Sequence, residues 1–464
     1  MSRTPDPTKT PSLKPLATNP LKMSQPLGAA LAFLGIDRCL PLFHGSQGCT
    51  AFALVLLVRH FREAIPLQTT ALDQVTTILG GYDNLAEAIR TINDRNKPAM
   101  IGVCSTGVTE TKGEDMAGSY RLFRQNNPDL KDLDLTFVNT PDFKGGLEDG
   151  FAAAVTGMID VLVEPTEYRT LGQVNILAGA HLTPGDVEEI RDIVESFGLN
   201  PIILPDLGLS MSGRQPAGFT ATTLGGTTVK QIRAMGRSEA TLVLGESMRG
   251  AAAQLELKTD VPSLYFDRLL GLEACDRFYK TLSDISGRPV PAKFRRQRET
   301  LVDAMLDGHF YTGRKRVTIA LEPDLLYAYT EFLGEMGADV VAAVAPQPAA
   351  VMEKVTANAV LIGDHADAER LSEEGGAELI ISNAHARQSA ERLGLPLLRA
   401  GLPTFDRIGA GHRVQVGYRG TRGLIFEIAN IFLADELAHV DSLTPEHFHP
   451  TGAAHEGLAP ATTH

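Results

Sequence analysis

The sequence predicts an α/β protein with three Rossmann-like domains, each a mostly parallel sheet flanked by helices. Two observations support this fold class. Short runs of apolar and β-branched residues alternate with helical patterns along most of the chain. The 464 residues, of which 43% are hydrophobic, are also too many for one ordinary core. We therefore expect several cores rather than one.

The N-terminal third carries the first strand signals. We predict a strand entering a loop in AMIGVCSTG, residues 99–107, and another in LTFVNTPDF, residues 135–143. Cys39 borders a further apolar strand. Ligands of such sheets bind where the carboxyl ends of strands meet loops and helix N-termini. Four loops are therefore expected to carry chemistry: HGSQGC, CSTGVTET, NTPDFKGG and AGHRVQVGYRG.

The middle third contains a complete strand–helix–strand unit at residues 173–206. Its helix is predicted to begin after an N-cap at Thr183, with Pro184 in the first position, and to end before Gly198. ATLVLGES, residues 240–247, predicts the next strand. Such alternation predicts a parallel sheet covered by helices on both faces.

The C-terminal third repeats this unit. A long helix is predicted at 287–306, followed by a strand–helix–strand unit at 316–346 whose helix closes at Gly337. Residues 358–401 add three strands and two helices. We place domain boundaries near residues 165 and 300. The predicted segments are a disordered arm at 1–20, domains at 21–165, 166–300 and 301–440, and a flexible tail at 441–464.

Composition excludes several function classes. The net charge of −13 argues against nucleic acid or an anionic membrane as a partner. The longest apolar run, residues 51–58, is too short to span a bilayer. Four cysteines in so long a chain do not form a disulfide framework. We therefore expect a soluble cytoplasmic protein.

Common catalytic motifs are missing. No dinucleotide fingerprint follows a strand, and the nearest approach to a P-loop, residues 113–120, has Ser119 where a lysine is required. The sequence also lacks a nucleophile elbow and zinc-type cysteine or histidine spacing. Four histidines in the tail are better explained by a solvated segment than by a metal site: His447, His449, His455 and His464.

Three of the four cysteines have a packing explanation. Cys39 borders a strand and Cys275 lies on a helical pattern, so both are expected in the core. Cys104 ends a strand just before a loop, and packing and function remain equally open for it.

Cys49 has a different setting. It follows Gly45 and Gly48 in HGSQGC, and the loop leads into a helix. Glycines let the backbone approach a bulky ligand, and the positive end of a helix dipole favours a thiolate. Because an iron–sulfur cluster usually needs four thiolates, the residues alone leave cluster ligation and simple packing both open.

The stretch from residue 19 to 63 resembles the opening of the β-type chains of the nitrogenase component 1 family. In that family HGSQGC, followed by RHFRE, carries a cluster-ligating cysteine. Further matches follow in order, so that the resemblance extends to about residue 437: ILGGYDNLAEAI, STGVTETKGEDM, VNTPDFKGGLEDGF, LTPGD, GLPTFDRIG and VGYRG.

Departures from the catalytic β subunit indicate the branch of the family. That subunit resembles this chain but uses three cysteines for an eight-iron P-cluster. Here only the first is present, as Cys49, while Leu67 and Gly107 stand at the other two positions. Cys104 lies three residues before the third position and is not assigned as a ligand.

The resemblance therefore implies the cofactor-scaffold branch, whose β-type chains are called NifN-type. In this branch a NifE-type α partner supplies three cysteines and the β-type chain one, holding a [4Fe–4S] cluster at the interface of an α2β2 heterotetramer. It implies Cys49 as metal ligand and Gly45, Ser46 and Gly48 as cofactor-binding residues, with no catalytic residue. The iron–molybdenum cofactor precursor is held mainly by the partner, and the other implied partners are the nitrogenase iron protein and the cofactor-delivery and carrier proteins.

Two other functions remain open. One is the β-type subunit of a nitrogenase-like reductase that carries out electron transfer and substrate reduction. The other is a metal-free structural subunit in which Cys49 only packs. The heterometal is also open, as is the role of the basic residues that follow on the helix, Arg59, His60 and Arg62.

Overall fold

Three parallel β-sheets, each flanked by helices, organise the chain, which confirms the predicted α/β class. The structure is a computed structural model that describes residues 17–211, 213, 218 and 220–442. The predicted tail after residue 442 and most of the N-terminal arm lie outside these residues. Most strand residues are buried, as expected for parallel sheets covered on both faces.

The first sheet has the strand order β2-β1-β3-β4. Its strands are β1 Cys39–His44, β2 Gln68–Thr69, β3 Met100–Ser105 and β4 Asp134–Val138. The helices of this region are α1 Gln25–Leu34, α2 Gln47–Phe61, α3 Gln74–Leu79, α4 Tyr82–Asn96, α5 Gly107–Lys112, α6 Met116–Asn126 and α7 Leu147–Leu162, with a 3-10 turn at Pro128–Leu130.

The second sheet has the order β6-β5-β7-β8. Its strands are β5 Gln173–Ala178, β6 Asn200–Leu204, β7 Ala240–Leu244 and β8 Ser263–Phe266. The helices are α8 Pro184–Ser196, α9 Leu207–Ser210, α10 Val229–Arg233, α11 Arg249–Thr259, α12 Leu272–Ser286 and α13 Ala292–Thr312, with 3-10 turns at Ala234–Arg237 and Glu246–Met248.

The third sheet has the order β11-β10-β9-β12-β13. Its strands are β9 Arg316–Ala320, β10 Asp339–Ala345, β11 Val360–Ile362, β12 Leu379–Ser382 and β13 Leu397–Arg399. The helices are α14 Pro323–Glu335, α15 His365–Gly375, α16 Arg387–Leu393 and α17 Gly417–Ser442, with 3-10 turns at Ala350–Lys354, Ala384–Ala386 and Ala410–His412.

The hydrophobic core continues from sheet to sheet. One cluster joins Phe43 of β1 to Leu204 of β6, and another joins Ile176 of β5 to Ile319 of β9. One sheet lies within each predicted domain range, whereas the packing crosses the ranges. The boundaries near 165 and 300 therefore stay a prediction.

Helix α1 fixes the start of the first sheet. All ten of its residues are buried, and it packs tightly on α7. A Cβ on Gly28 would lie 1.9 Å from the carbonyl oxygen of Leu147, so only glycine allows this approach. The loop after α1 leads directly into β1, and the HGSQGC segment is thus held by a buried helix and a buried strand.

Local signals predicted many of the elements. Thr183 caps α8 in a capping box with Asp186, and Gly198 and Gly337 follow their helices with positive φ. Strands β2 and β8 were not predicted because they are short and largely half-exposed. Two residues at the end of the predicted arm are held: the Thr18 N–H donates to Asp364, and the Asn19 carbonyl accepts from His365.

Candidate functional site: a half-buried cysteine at the edge of the first sheet

Three of the four expected loops meet at the carboxyl edge of the first sheet. The Thr106 and Thr109 hydroxyls donate to the His44 carbonyl oxygen at 3.1 and 3.2 Å, which joins the loops after β1 and β3. The Thr140 N–H donates to the Ser105 hydroxyl at 2.7 Å and brings in the loop after β4. The fourth segment, residues 410–420, lies elsewhere, against α8, where the N–H groups of Gln415 and Val416 donate to Asp186.

Cys49 lies in the first turn of α2. The helix begins at Gln47 after an N-cap at Ser46, whose backbone is extended and whose side chain makes no capping hydrogen bond. The Ser46 hydroxyl instead lies 3.6 Å from Cys49 Sγ. Cys49 is half-buried, and the buried Thr50 hydroxyl has no hydrogen-bond partner among the described residues. The helix end thus presents one thiol in contact with the Ser46 hydroxyl, next to the Thr50 hydroxyl that has no partner among these residues.

The two loop glycines differ in what they allow. A Cβ on Gly45 would lie 2.1 Å from Thr106 Oγ1, so a larger residue would separate the two loops. At Gly48 the nearest atom to such a Cβ is the Ser46 hydroxyl, 3.9 Å away, and the surrounding space is open. Neither glycine has a positive φ, so their backbone freedom is not used here. Gly45 serves packing, and Gly48 leaves room next to Cys49.

The loop before Cys49 is fixed by a buried histidine that sequence reasoning did not single out. His44 Nε2 lies 2.6 Å from Glu114, and its Nδ1 lies 3.1 Å from the Thr70 hydroxyl. Glu114 also accepts hydrogen bonds from Gly81 N–H and Lys112. The hydrogen bond with His44 lowers the pKa of Glu114 to about 2. The one signal in the sequence was that both residues lie inside motifs matched by the resemblance, His44 in HGSQGC and Glu114 in STGVTETKGEDM.

The other three cysteines cannot take part in a site on this surface. Cys39 and Cys275 are buried, as expected for core residues, and Cys104, for which packing and function were both open, is buried as well. Burial raises the pKa of all three thiols, that of Cys275 to about 12, and keeps them in the unreactive protonated form. Within the described ranges no group of three or more His, Cys, Asp or Glu side chains is arranged to hold a metal ion. Cys49 is thus the one half-exposed thiol of the four.

The outer face of α2 beside Cys49 is apolar. Phe52 and Val55 are 70% and 51% exposed, and Val58 continues the same face. Ile78 of α3 is also exposed. Helix α3 follows the loop in which the Leu72 N–H donates to the Gly45 carbonyl. Exposed apolar side chains that follow one another along a helix in this way are typical of interaction surfaces.

The basic residues at the end of α2 bind another part of this chain. The Arg59 guanidinium lies 4.3 Å from the ring centre of Phe405, and Arg62 donates to the Phe405 carbonyl. His60 Nδ1 accepts the Thr404 N–H at 2.9 Å, and burial lowers the pKa of His60 to about 4. The motifs RHFRE and GLPTFDRIG therefore dock on each other, 344 residues apart.

Leu67 and Gly107 occupy the two positions at which the resemblance places the other P-cluster cysteines of the catalytic β subunit. Leu67 is buried in the core that also contacts Cys49, and Gly107 begins α5 with its N–H donating to Asp142. Neither side chain offers a metal ligand.

In the part of the chain that the structure describes, no helix is long and apolar enough to cross a membrane.

Fold and site together define an α/β chain with three parallel sheets and one thiol at a sheet edge. The family model of nitrogenase component 1 type oxidoreductases matches residues 24–433. The chain belongs to this family, as the motifs implied.

Relatives within the family are described as nitrogenase iron-molybdenum cofactor biosynthesis protein NifN. The protein from Bradyrhizobium diazoefficiens is 50% identical over 94% of both chains. Those from Nostoc sp. and Klebsiella pneumoniae are 49% and 41% identical, covering 92% and 95% of this chain and 96% and 98% of theirs. The resemblance to NifN-type chains is thus confirmed.

Solved structures show the same fold. A chain of the structure described as nitrogenase Cp1 at pH 6.5 superposes with a TM-score of 0.88, at 30% identity over 95% of this chain and 98% of that one. A chain of nitrogenase Cp1 at pH 5 gives a TM-score of 0.71 at 13% identity, over 96% and 94%, a likeness of fold alone.

Proposed function

We propose that this chain is the β-type subunit of a scaffold on which the nitrogenase iron–molybdenum cofactor is assembled. In this proposal Cys49 is one of four thiolate ligands of a [4Fe–4S] cluster, and a NifE-type α subunit supplies the other three. The relatives named for cofactor biosynthesis support the assembly role. The observation that carries the ligand assignment is the placement of Cys49, half-buried at a helix N-terminus while the other three cysteines are buried.

The residues around Cys49 fit such a shared site. One thiol beside open space at Gly48 suits a cluster that needs further ligands from outside the chain. The dipole of α2 favours the thiolate, and the hydroxyls of Ser46 and Thr50 are available as hydrogen-bond donors to cluster sulfur. When bound, such a cluster stores and passes on single electrons.

The apolar face of α2 suits the α partner. Phe52 and Val55 lie one and two turns after Cys49, so a subunit that covers them also excludes water from the thiol. The proposal places the cofactor precursor mainly on the α subunit, with the iron protein and the delivery and carrier proteins docking to the assembled α2β2 complex.

The test is iron content after anaerobic co-purification with the α partner. We expect about four irons per αβ pair and the EPR signal of a reduced cubane. Cys49→Ala should remove the signal and most of this iron. Cys275→Ala, which changes a buried thiol far along the chain, should leave both unchanged. Full iron content and an unchanged signal in Cys49→Ala would rule out the ligand assignment, and an iron-free wild-type complex would favour a structural subunit.

Activity separates the scaffold from the reductase. The wild-type complex should support maturation of the cofactor in a reconstituted assay and should not reduce dinitrogen or protochlorophyllide itself. Direct reduction of either substrate would favour the β-type reductase subunit.

A further inference from the structure

A second site lies in a cavity of about 450 Å³ at the other end of α2 from Cys49. It is enclosed by the loop after β5, the start of α14 and the segment after β13. Its volume is within the range of small-molecule sites. Much of the wall is leucine, including Leu31, Leu147, Leu182, Leu207, Leu325 and Leu398. The cavity reaches the surface at Ile408, which is 92% exposed.

One end of the cavity carries polar groups with unused hydrogen-bonding capacity. Glu322 lines the cavity and is only 9% exposed, and in the described part of the chain its carboxyl oxygens have a weak contact with the Met23 N–H but no hydrogen bond of normal geometry. His181 also lines the cavity with its side chain 6% exposed, and its Nδ1 likewise lacks a hydrogen bond, lying 3.8 Å from Asp324. Buried polar atoms without partners are rare and destabilising, so both are candidates for contact with a ligand.

The electrostatic surroundings of Glu322 favour a positive charge. Glu148 lines the cavity at the same end, and Asp149 and Asp324 lie close enough to repel its charge and that of Glu322. Burial and these neighbours raise the pKa of Glu322 to about 8, with only partial compensation from Lys22 and the Met23 N–H. A cation in the cavity would relieve this repulsion and pair with the carboxylate.

Two other ligand classes fit the cavity less well. An anion would need a free cation, but each of the three arginines that line the cavity faces a carboxylate: Arg399 lies 2.8 Å from Asp406, Arg413 lies 2.6 Å from Glu427, and the largely exposed Arg407 lies 4.0 Å from Asp406. A metal ion would need several converging ligands, and the described residues contain no group of three or more suitable side chains. An organic cation with an apolar body matches both the acidic end and the leucine wall.

We propose that this cavity binds a small primary amine, with the ammonium group on Glu322 and the apolar part against the leucines. His181 and Glu148 provide hydrogen-bonding groups at the same end. The site is separate from the proposed cluster site, and nothing in its recognition requires Cys49.

Calorimetry on the full-length protein at pH 8 tests this with butyl-, hexyl- and octylamine. We expect at least one amine to bind at least tenfold more tightly than the alcohol and carboxylate of the same chain length. Affinity should rise from pH 6 to pH 8, because Glu322 ionises in this interval while the amine stays charged. Equal binding of the alcohol or carboxylate, or no binding of any of the three amines, would overturn the proposal.

Glu322→Gln locates the site. Glutamine has the size of the neutral acid, so the variant should fold as well as the wild type, which a thermal melt without ligand checks. We expect its amine affinity to fall at least tenfold and to lose the pH dependence. The exposed Glu353→Gln should bind as the wild type does. Undiminished amine binding by Glu322→Gln would place any binding elsewhere and refute the assignment.

Discussion

The two ends of helix α2 differ in what they contact. The N-terminal end, which we call the open end, carries a half-buried Cys49 and the exposed Phe52 and Val55. The C-terminal end, which we call the locked end, packs on the segment around Phe405. Both ends belong to motifs that the family resemblance matched. Internal packing therefore explains one motif, and the α partner of the proposed function would explain the other. Substitutions at the locked end should change stability, and those at the open end should change assembly.

The largest stability effect is expected at His60. Because burial lowers its pKa to about 4 from an ordinary 6.5, the unfolded chain binds a proton more readily than the folded one. Its stabilising contribution is complete above pH 6.5 and is lost as pH falls from 6.5 to 4, by up to about 3 kcal/mol. Urea unfolding across this range should show the loss.

His60→Asn checks the origin of that loss. Asparagine keeps an acceptor for the Thr404 N–H but cannot be protonated, so the decline between pH 6.5 and 4 should become shallower. The exposed His412→Asn should show the wild-type profile. A decline as steep in His60→Asn as in the wild type would mean that other groups cause it.

Phe405→Ala should have the next largest effect. The ring supports Arg59 at 4.3 Å and packs on the His385 ring at 5.4 Å between centroids. Since Phe405 is half-buried, we expect a loss of about 2 kcal/mol of unfolding free energy, less than for a fully buried phenylalanine. Phe310→Ala, at an 85% exposed position, should change it by less than about 0.5 kcal/mol. Equal effects of the two substitutions would contradict the locked-end assignment.

At the open end, Phe52→Glu should leave stability within about 0.5 kcal/mol of the wild type, because the side chain is 70% exposed. It should weaken association with the α partner at least tenfold, since a charge would be buried in an apolar contact. Titration of the α subunit by analytical ultracentrifugation measures this. Leu257→Glu, at an exposed position on α11, is the control and should associate normally. Normal association of Phe52→Glu would move the interface away from α2.

Sequence reasoning succeeded where the signal was local. The strand–helix–strand units, the Thr183 cap and the core cysteines follow from periodicity, capping and burial preference within short windows. It could not find contacts such as His60 with Thr404 or His44 with Glu114, which join segments far apart in the chain. The sequence shows only an apolar run after Cys49, and the docking of α2 on the sheet determines that Phe52 faces outward.

Glu322 shows the same limit in another way. It belongs to no motif that the resemblance matched, and its neighbour Asp324 looks like an ordinary first-turn acid of α14. Its raised pKa comes from burial and from neighbouring acids, and Glu148, which it repels, lies on α7 beside the first sheet. Such a group is visible only after the three regions are packed together.

The smallest effect is expected at Glu114, which fixes the loop leading to Cys49. Its pKa is lowered to about 2 by His44, so its contribution is present above the ordinary pKa near 4.5 and is lost as pH falls from there towards 2. Because Glu114 is partly solvated, we expect Glu114→Gln to cost about 1 kcal/mol at pH 7, with the difference shrinking below pH 4.5. The exposed Glu256→Gln should follow the wild type throughout. A Glu114→Gln deficit that persists unchanged at pH 3 would show that the loop is held by packing, such as that of Gly45 on Thr106, rather than by the Glu114 carboxylate and its hydrogen bond with His44.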